Sequence, residues 1–303
     1  MIKLLERGKI DDKKWNGCVH FGFNGLPYGY TWYLDVVGEQ WKGLVFGDYE
    51  AVFPLVYNKK WGFSYLYQPL FTQQLGIFSL DPLPAKIIDQ FYNTIPQEYR
   101  LIEIQVTPHN WKERSDFETT MRPNFLLDLN KPYEETRASY SSNLKRNLKQ
   151  AEKASNRIVN QVKVEEFADF YRKHTAPKIA GYNKKTYFMM MRLIYNCQHY
   201  NIGFLNGVRN DKGELQAAGF FITNQKYIIN LAPATSNNGR KNGAMAMLID
   251  YIVRSNENQA RTLDFEGSSI ESIAKFYKNF GAEEKKFLQL RKNKLPWILK
   301  LLK

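Results

Sequence analysis

The chain has 303 residues, 44% hydrophobic and 15% aromatic, with a formal charge of +13 at pH 7. The length predicts about two domains, the apolar share excludes long disorder, and the two distant cysteines, Cys18 and Cys197, with four scattered histidines exclude a disulfide framework and a metal-ligand cluster. The charged first twenty residues, and the lack of an apolar run of about eighteen, predict neither a secretory signal nor a spanning helix and place the chain in the cytoplasm. The positive charge implies an anionic partner, such as a nucleotide, tRNA, a phospholipid surface or a phosphorylated precursor, or else a surface kept basic for solubility.

In chain order, a strand is predicted at 2–5, a helix at 13–21 and a strand at 30–37. A hairpin of 42–45 and 49–57 turns at Gly47-Asp48. A strand at 63–66 leads into 67–76, a loop rich in aromatics and amides that reads as a pocket lining between domains or as a packed connection. Then come a helix at 83–95, a strand at 101–106, a loop holding His109 and Trp111, and a strand at 125–129 near the end of a first domain, 1–133.

Residues 134–160 form a basic segment opening the second domain. Ser139 to Asn143 offer helix caps, and 144–153 reads as a helix packing through Leu144, Leu148 and Ala151. Lys145, Lys149, Lys153 and Arg157, four apart, form a stripe that either meets a polyanion or is a solvated face.

The second domain proper spans 161–291. Helices at 164–174 and 184–200 precede a hairpin of 201–208 and 215–223 around Asn210-Asp211-Lys212-Gly213. An apolar, β-branched strand at 226–231 then runs into a loop at 235–243 and a helix from Ala244, where Met245, Leu248, Ile249 and Ile252 recur at helical spacing. A strand, a cationic loop and a helix N-terminus together make an anion cradle, since the first helical amides have no intrahelical acceptor. A strand at 261–266, a helix at 270–280 stopped by Gly281 and a strand at 286–291 follow. The tail, 292–303, mixes lysines with Trp297 and leucines, so it suits either an anionic membrane surface or packing back on domain one.

Arg240-Lys241-Asn242-Gly243-Ala244 resembles the pyrophosphate loop of the GNAT acyltransferase superfamily, Arg/Gln-x-x-Gly-x-Gly/Ala, with Met245 where the family has its second small residue. Ala274 to Gly281 resembles that superfamily's late Phe-Tyr-x-x-x-Gly helix. Asn143 to Lys153 is similar to the Asn-x-Arg-Arg-x-Ile-Arg-Lys-Ala segment opening the second domain of FemAB-like proteins, tandem GNAT-fold transferases. Several of those move an amino acid from aminoacyl-tRNA onto a peptidoglycan precursor. The resemblance implies an α/β (α+β) chain of two GNAT-like domains, the first degenerate. Each would be a mixed, mostly antiparallel twisted sheet flanked by helices.

It also implies an acyl- or aminoacyltransferase acting on an amine such as that of a cell-wall precursor. The donor is either aminoacyl-tRNA or acetyl-CoA, with no covalently bound cofactor and no metal. Arg240, Lys241, Asn242, Gly243 and Ala244 would hold phosphates, and Lys145, Arg146 and Lys149 would meet the anionic substrate. Glu266 is the candidate base, two residues from Asp264 and therefore on the same face of a strand, where paired carboxylates raise one pKa. Asp264-Phe265-Glu266 is similar to the Asp-x-Gln of leucyl/phenylalanyl-tRNA–protein transferase, although a carboxylate pair bridging to Arg240 or Lys275 fits as well. Tyr277 matches the GNAT tyrosine that protonates a leaving thiolate, or is an aromatic on a packing face. Asn230 and Ser268 are candidates for orienting substrate. Two other readings remain open: an acetyl-CoA-dependent N-acetyltransferase acting on a nucleotide-linked sugar, and a non-catalytic binder of tRNA or a phosphorylated precursor.

Overall fold

A computed structural model describes residues 1–60, 62–268 and 270–296. The expected packing of the tail beyond residue 296 lies outside the described residues. Two compact units make up the chain: Met1–Arg122 with Lys286–Lys303, and Pro123–Lys285.

The first unit opens with β1 (Ile2–Glu6) and α1 (Asp12–Phe21), whose N-cap Asp11 accepts from Lys14 N. The next segment departs from the sequence reading. Residues 30–37 are a helix, α2 (Thr31–Val37), rather than a strand. Its start is stabilised from outside, because Asn16 Oδ1 accepts from Thr31 N at 2.8 Å. Tyr33, Leu34, Val36 and Val37 are all buried, a distribution that strand alternation does not give. Next come β2 (Gln40–Phe46), β3 (Ala51–Lys60), β4 (Phe63–Leu66), β5 (Phe78–Ser79), α3 (Ala85–Thr94), β6 (Tyr99–Val106) and β7 (Glu118–Asp128), which continues into the second unit.

The second unit continues with α4 (Tyr133–Ala138), α5 (Ser142–Lys153), β8 (Arg157–Val159), α6 (Val164–His174) and α7 (Lys184–His199). The hairpin of β9 (Gly203–Arg209) and β10 (Leu215–Thr223) turns at Gly213, φ +78°, with Asn210 Oδ1 accepting from Glu214 N. Then come β11 (Tyr227–Thr235), α8 (Asn237–Lys241), α9 (Ala244–Ser255), β12 (Thr262–Asp264) and α10 (Glu271–Lys278). The last strand, β13 (Glu283–Asn293), pairs antiparallel with β6 from Leu288↔Val106 to Asn293↔Leu101.

Each unit has a mixed sheet with a single parallel pair among the described ladders. In the first the order is β1-β2-β3-β4-β6-β13, with β5 on β3, and only β4 and β6 are parallel. In the second it is β7-β12-β11-β10-β9-β8, and only β11 and β12 are parallel. The expected mixed, mostly antiparallel architecture is present in both. Each unit has its own core: Phe53, Phe91, Ile104 and Leu290 in the first, and Phe125, Phe221, Leu248, Ile249 and Phe280 in the second. Among the described residues no helix is long and apolar enough to cross a membrane.

Candidate functional site

The second unit's parallel pair parts early. β11 and β12 are bonded only from Tyr227↔Thr262 to Ile229↔Asp264; β12 stops there and β11 runs on to Thr235. On its other edge β11 carries a bulge, where Phe221 faces Asn230 and Phe220 faces Ala232, so Leu231 is the extra residue. A cavity of about 610 Å³ opens at this diverging stretch, with Asn230, Pro233 and Thr235 of β11 in its wall.

The cradle at its edge is built by local hydrogen bonds. The sequence reads 235–243 as one loop, but Ser236 caps a short helix, α8, by accepting from Gly239 N at 2.9 Å. Gly239 presses on β10: a Cβ there would stand 2.1 Å from Gln216 O. Arg240, exposed on this turn, lines the cavity. Asn242 Oδ1 accepts from Ala244 N at 3.2 Å, and Gly243 takes the left-handed conformation that lets α9 begin at Ala244. Met247 N bonds Gly243 O, which leaves the amides of Met245 and Ala246, both at the cavity wall, with no intrahelical acceptor. Lys241 is exposed on the same turn, and Ala244 is buried in the core.

Three cavity residues escaped the sequence reading because tertiary packing brings them there: His174 at the end of α6, Lys178 in the turn after it, and Asn147 on α5. Of these, Lys178 joins Arg240 as a cation in the lining. Burial lowers the His174 pKa, helped by the charges of Lys173, Arg240 and Lys178. Ile273, Phe276 and Tyr277 of α10 make up a largely apolar part of the lining.

The carboxylates differ from the sequence expectation. The predicted strand 261–266 ends at Asp264, because Asp264 Oδ1 accepts from Glu266 N at 2.8 Å and closes a side-chain turn. Glu266 is half-buried with φ +57°, so strand alternation does not relate the two side chains. The raised pKa falls on Asp264, which is 4% exposed. Burial pushes it up to about 6, opposed by hydrogen bonds from the Glu266 amide and Asn124. Tyr277 stacks on Phe265 at 4.7 Å, and burial, then the charges of Glu266 and Asp264, drive its phenol pKa up. Burial also raises Tyr171 on α6, with Tyr182 and Glu266 adding to the shift. Tyr277 lines the cavity, whereas Asp264, Glu266 and Ser268 are not among its lining residues.

Asn230 is 2% exposed, and its Oδ1 is buried with no hydrogen-bond partner. Such an orphan acceptor costs about 1–3 kcal/mol. Ser268 Oγ accepts from Ile270 N at 3.1 Å, at the start of α10. On α5, Lys145, Arg146 and Lys149 are exposed. Arg157 is not in their stripe: the helix ends at Lys153, Ser155 reverses the chain at φ +54°, and Arg157 lies on β8.

FemX superposes with TM-score 0.65 at 13% identity, over 94% of this chain and 96% of that one. L-PGS from Bacillus licheniformis superposes with TM-score 0.59 at 12% identity, over 96% and 95%. This chain has the FemAB-like tandem GNAT fold. A tandem GNAT protein from the clavulanic acid biosynthesis pathway also shares it, with TM-score 0.50 and 10% identity over 96% and 98%. No protein-family model matches the sequence, and comparison with curated proteins finds no relative. Within the FemAB-like tandem fold, the described cavity belongs wholly to the second unit, beside its parallel pair.

Proposed function

We propose that the second unit transfers an acyl or aminoacyl group from an activated ester or thioester to an amine. The observation that carries this reading is that Arg240, Lys178 and the first-turn residues Met245 and Ala246 of α9 line one cavity. That is an anion cradle for the donor or the precursor. The FemAB-like tandem GNAT fold supports the same class of reaction.

In the proposed step the amine nitrogen attacks the acyl carbon, a C–N bond forms, and the ester C–O or thioester C–S bond breaks. Glu266 takes the proton lost by nitrogen, and the Tyr277 phenol supplies one to the leaving oxygen or sulfur. The raised Tyr277 pKa keeps that phenol protonated, as a donor must be. Asp264 accepts from the Glu266 amide and so fixes the backbone that carries the base.

Met245 supports an aminoacyl ester such as aminoacyl-tRNA over acetyl-CoA as donor. Met245 lines the cavity at the position where the GNAT loop has a glycine or alanine that admits a pyrophosphate closely. The test is amide formation from aminoacyl-tRNA and a peptidoglycan-precursor amine. Wild type is expected to turn over, and Glu266→Gln to lose about 10²–10⁴-fold. Thermal stabilisation by acetyl-CoA would favour the N-acetyltransferase reading, and absence of turnover by wild type would favour a non-catalytic binder.

A further inference from the structure

We infer that the transferred group carries a branched or aromatic apolar side chain, selected by Ile270 and Ile273 at the start of α10. The inference rests on the transfer reading above and names the acyl class of the donor. Ile270, Ile273 and Phe276 recur every third residue, so they follow one side of the helix, and all three line the cavity. The core uses this row only in part. Tyr277 beside it is buried, Phe276 is half-buried, and Ile270 and Ile273 remain 59% and 36% exposed. Two other elements bring half-buried apolar side chains to the same lining: Pro233 from β11 and Met245 from the first turn of α9. Apolar surface from three separate segments, left wet around a cavity of about 610 Å³, is the make-up of a ligand site. An anion held by Arg240 and Lys178 leaves that surface uncovered; an apolar side chain on the acyl group removes it from water. The two cations also repel a lysyl or arginyl group. A glycyl or alanyl group has little to lay on the row.

The test uses adenosine 5′-phosphates carrying the aminoacyl group as a stable 3′-amide, in leucyl, phenylalanyl, alanyl and lysyl forms, titrated by calorimetry into the full chain. Wild type is expected to bind the leucyl and phenylalanyl forms about tenfold or more tightly than the alanyl form, and the lysyl form no better than the alanyl. The double variant Ile270→Ser, Ile273→Ser loses only exposed apolar side chains. It is expected to cut the leucyl-to-alanyl ratio to about threefold or less while keeping its affinity for inorganic pyrophosphate. A merely structural pair would shift thermal stability and leave the ratio alone. Equal binding of the leucyl and alanyl forms by wild type, a lysyl preference, a ratio that survives in the double variant, or binding of pyrophosphate without any aminoacyl form overturns the inference and leaves the anion cradle standing. Tighter binding of n-dodecyl phosphate than of the leucyl form assigns the row to a lipid chain and overturns it too. Failure of pyrophosphate and of every aminoacyl form to bind overturns the cradle, and this inference with it.

Discussion

Gly243 lies directly against the backbone of Asn147. A Cβ on Gly243 would stand 2.3 Å from the Asn147 carbonyl oxygen, and its φ is +74°. The glycine that reads as a phosphate-loop element is thus also the contact through which the basic helix α5 meets the start of α9. Gly243→Ala is expected to destabilise the protein by about 2 kcal/mol or more, since left-handed strain alone costs about 1–2 and the clash is with backbone. Denaturant unfolding without any ligand measures it; a loss under about 0.5 kcal/mol would mean that the contact yields easily.

Asp264 gives a pH signature. Its pKa is raised from 3.8 to about 6 in the folded protein. The folded state then holds a proton that the unfolded chain has released, so this group's contribution to stability is greatest below pH 3.8 and is lost as pH rises through about 6. Asp264→Asn is expected to be stabilised relative to wild type as pH rises across that window, by up to about 3 kcal/mol. Unfolding free energies of both proteins at several pH values decide it, and parallel curves would refute it.

Arg240 is exposed at the cavity. Arg240→Ala is therefore expected to leave the melting temperature nearly unchanged while weakening inorganic pyrophosphate binding about tenfold, more at low salt than at high. Lys178→Ala is expected to act in the same direction. Titration calorimetry at two ionic strengths reads both effects.

The exposed lysines of α5 carry a separate expectation. Lys145→Ala and Lys149→Ala should each weaken tRNA binding uniformly across sequences and lower the log–log salt slope by about one. Filter binding over a salt series checks this. Affinity indifferent to salt would mark α5 as a solvated face.

Glu266 holds a left-handed backbone that its side chain disfavours. Glu266→Gly is expected to be neutral or up to about 1 kcal/mol stabilising, because relief of strain offsets the added chain entropy. Glu266→Gln keeps the strain and should not share the gain. If activity falls in both variants while only the glycine variant gains stability, the strain is tied to the proposed base.

Where periodicity was strong and local, the sequence was a good guide. The strand at 63–66, the helix at 164–174, the hairpin around Asn210–Gly213 and the helix starting at Ala244 match β4, α6, β9–β10 and α9. Residues 30–37 misled because their helix is capped by Asn16, fifteen positions away, and buried on several sides. The strand at 261–266 was read too long because a side-chain turn at Asp264 is invisible to hydrophobic spacing. The motif pointed to Arg240 and Gly243, and both line the cavity. It did not point to His174 and Lys178: they end one helix and begin the next turn, and only packing of α6 near β11 brings them to the cavity.

The surplus residue in β11 makes this hollow sensitive to chain length. Leu231 is the unit by which β11 outruns β10. Beyond it Ala232 already pairs with Phe220 and Thr235 with Ala217, so deleting Leu231 would keep those partners and their faces while removing the local bend and extra twist. Pro233 and Thr235 would be re-aimed without changing neighbours. A single lost codon there would thus reshape the wall of the hollow while leaving the sheet around it intact.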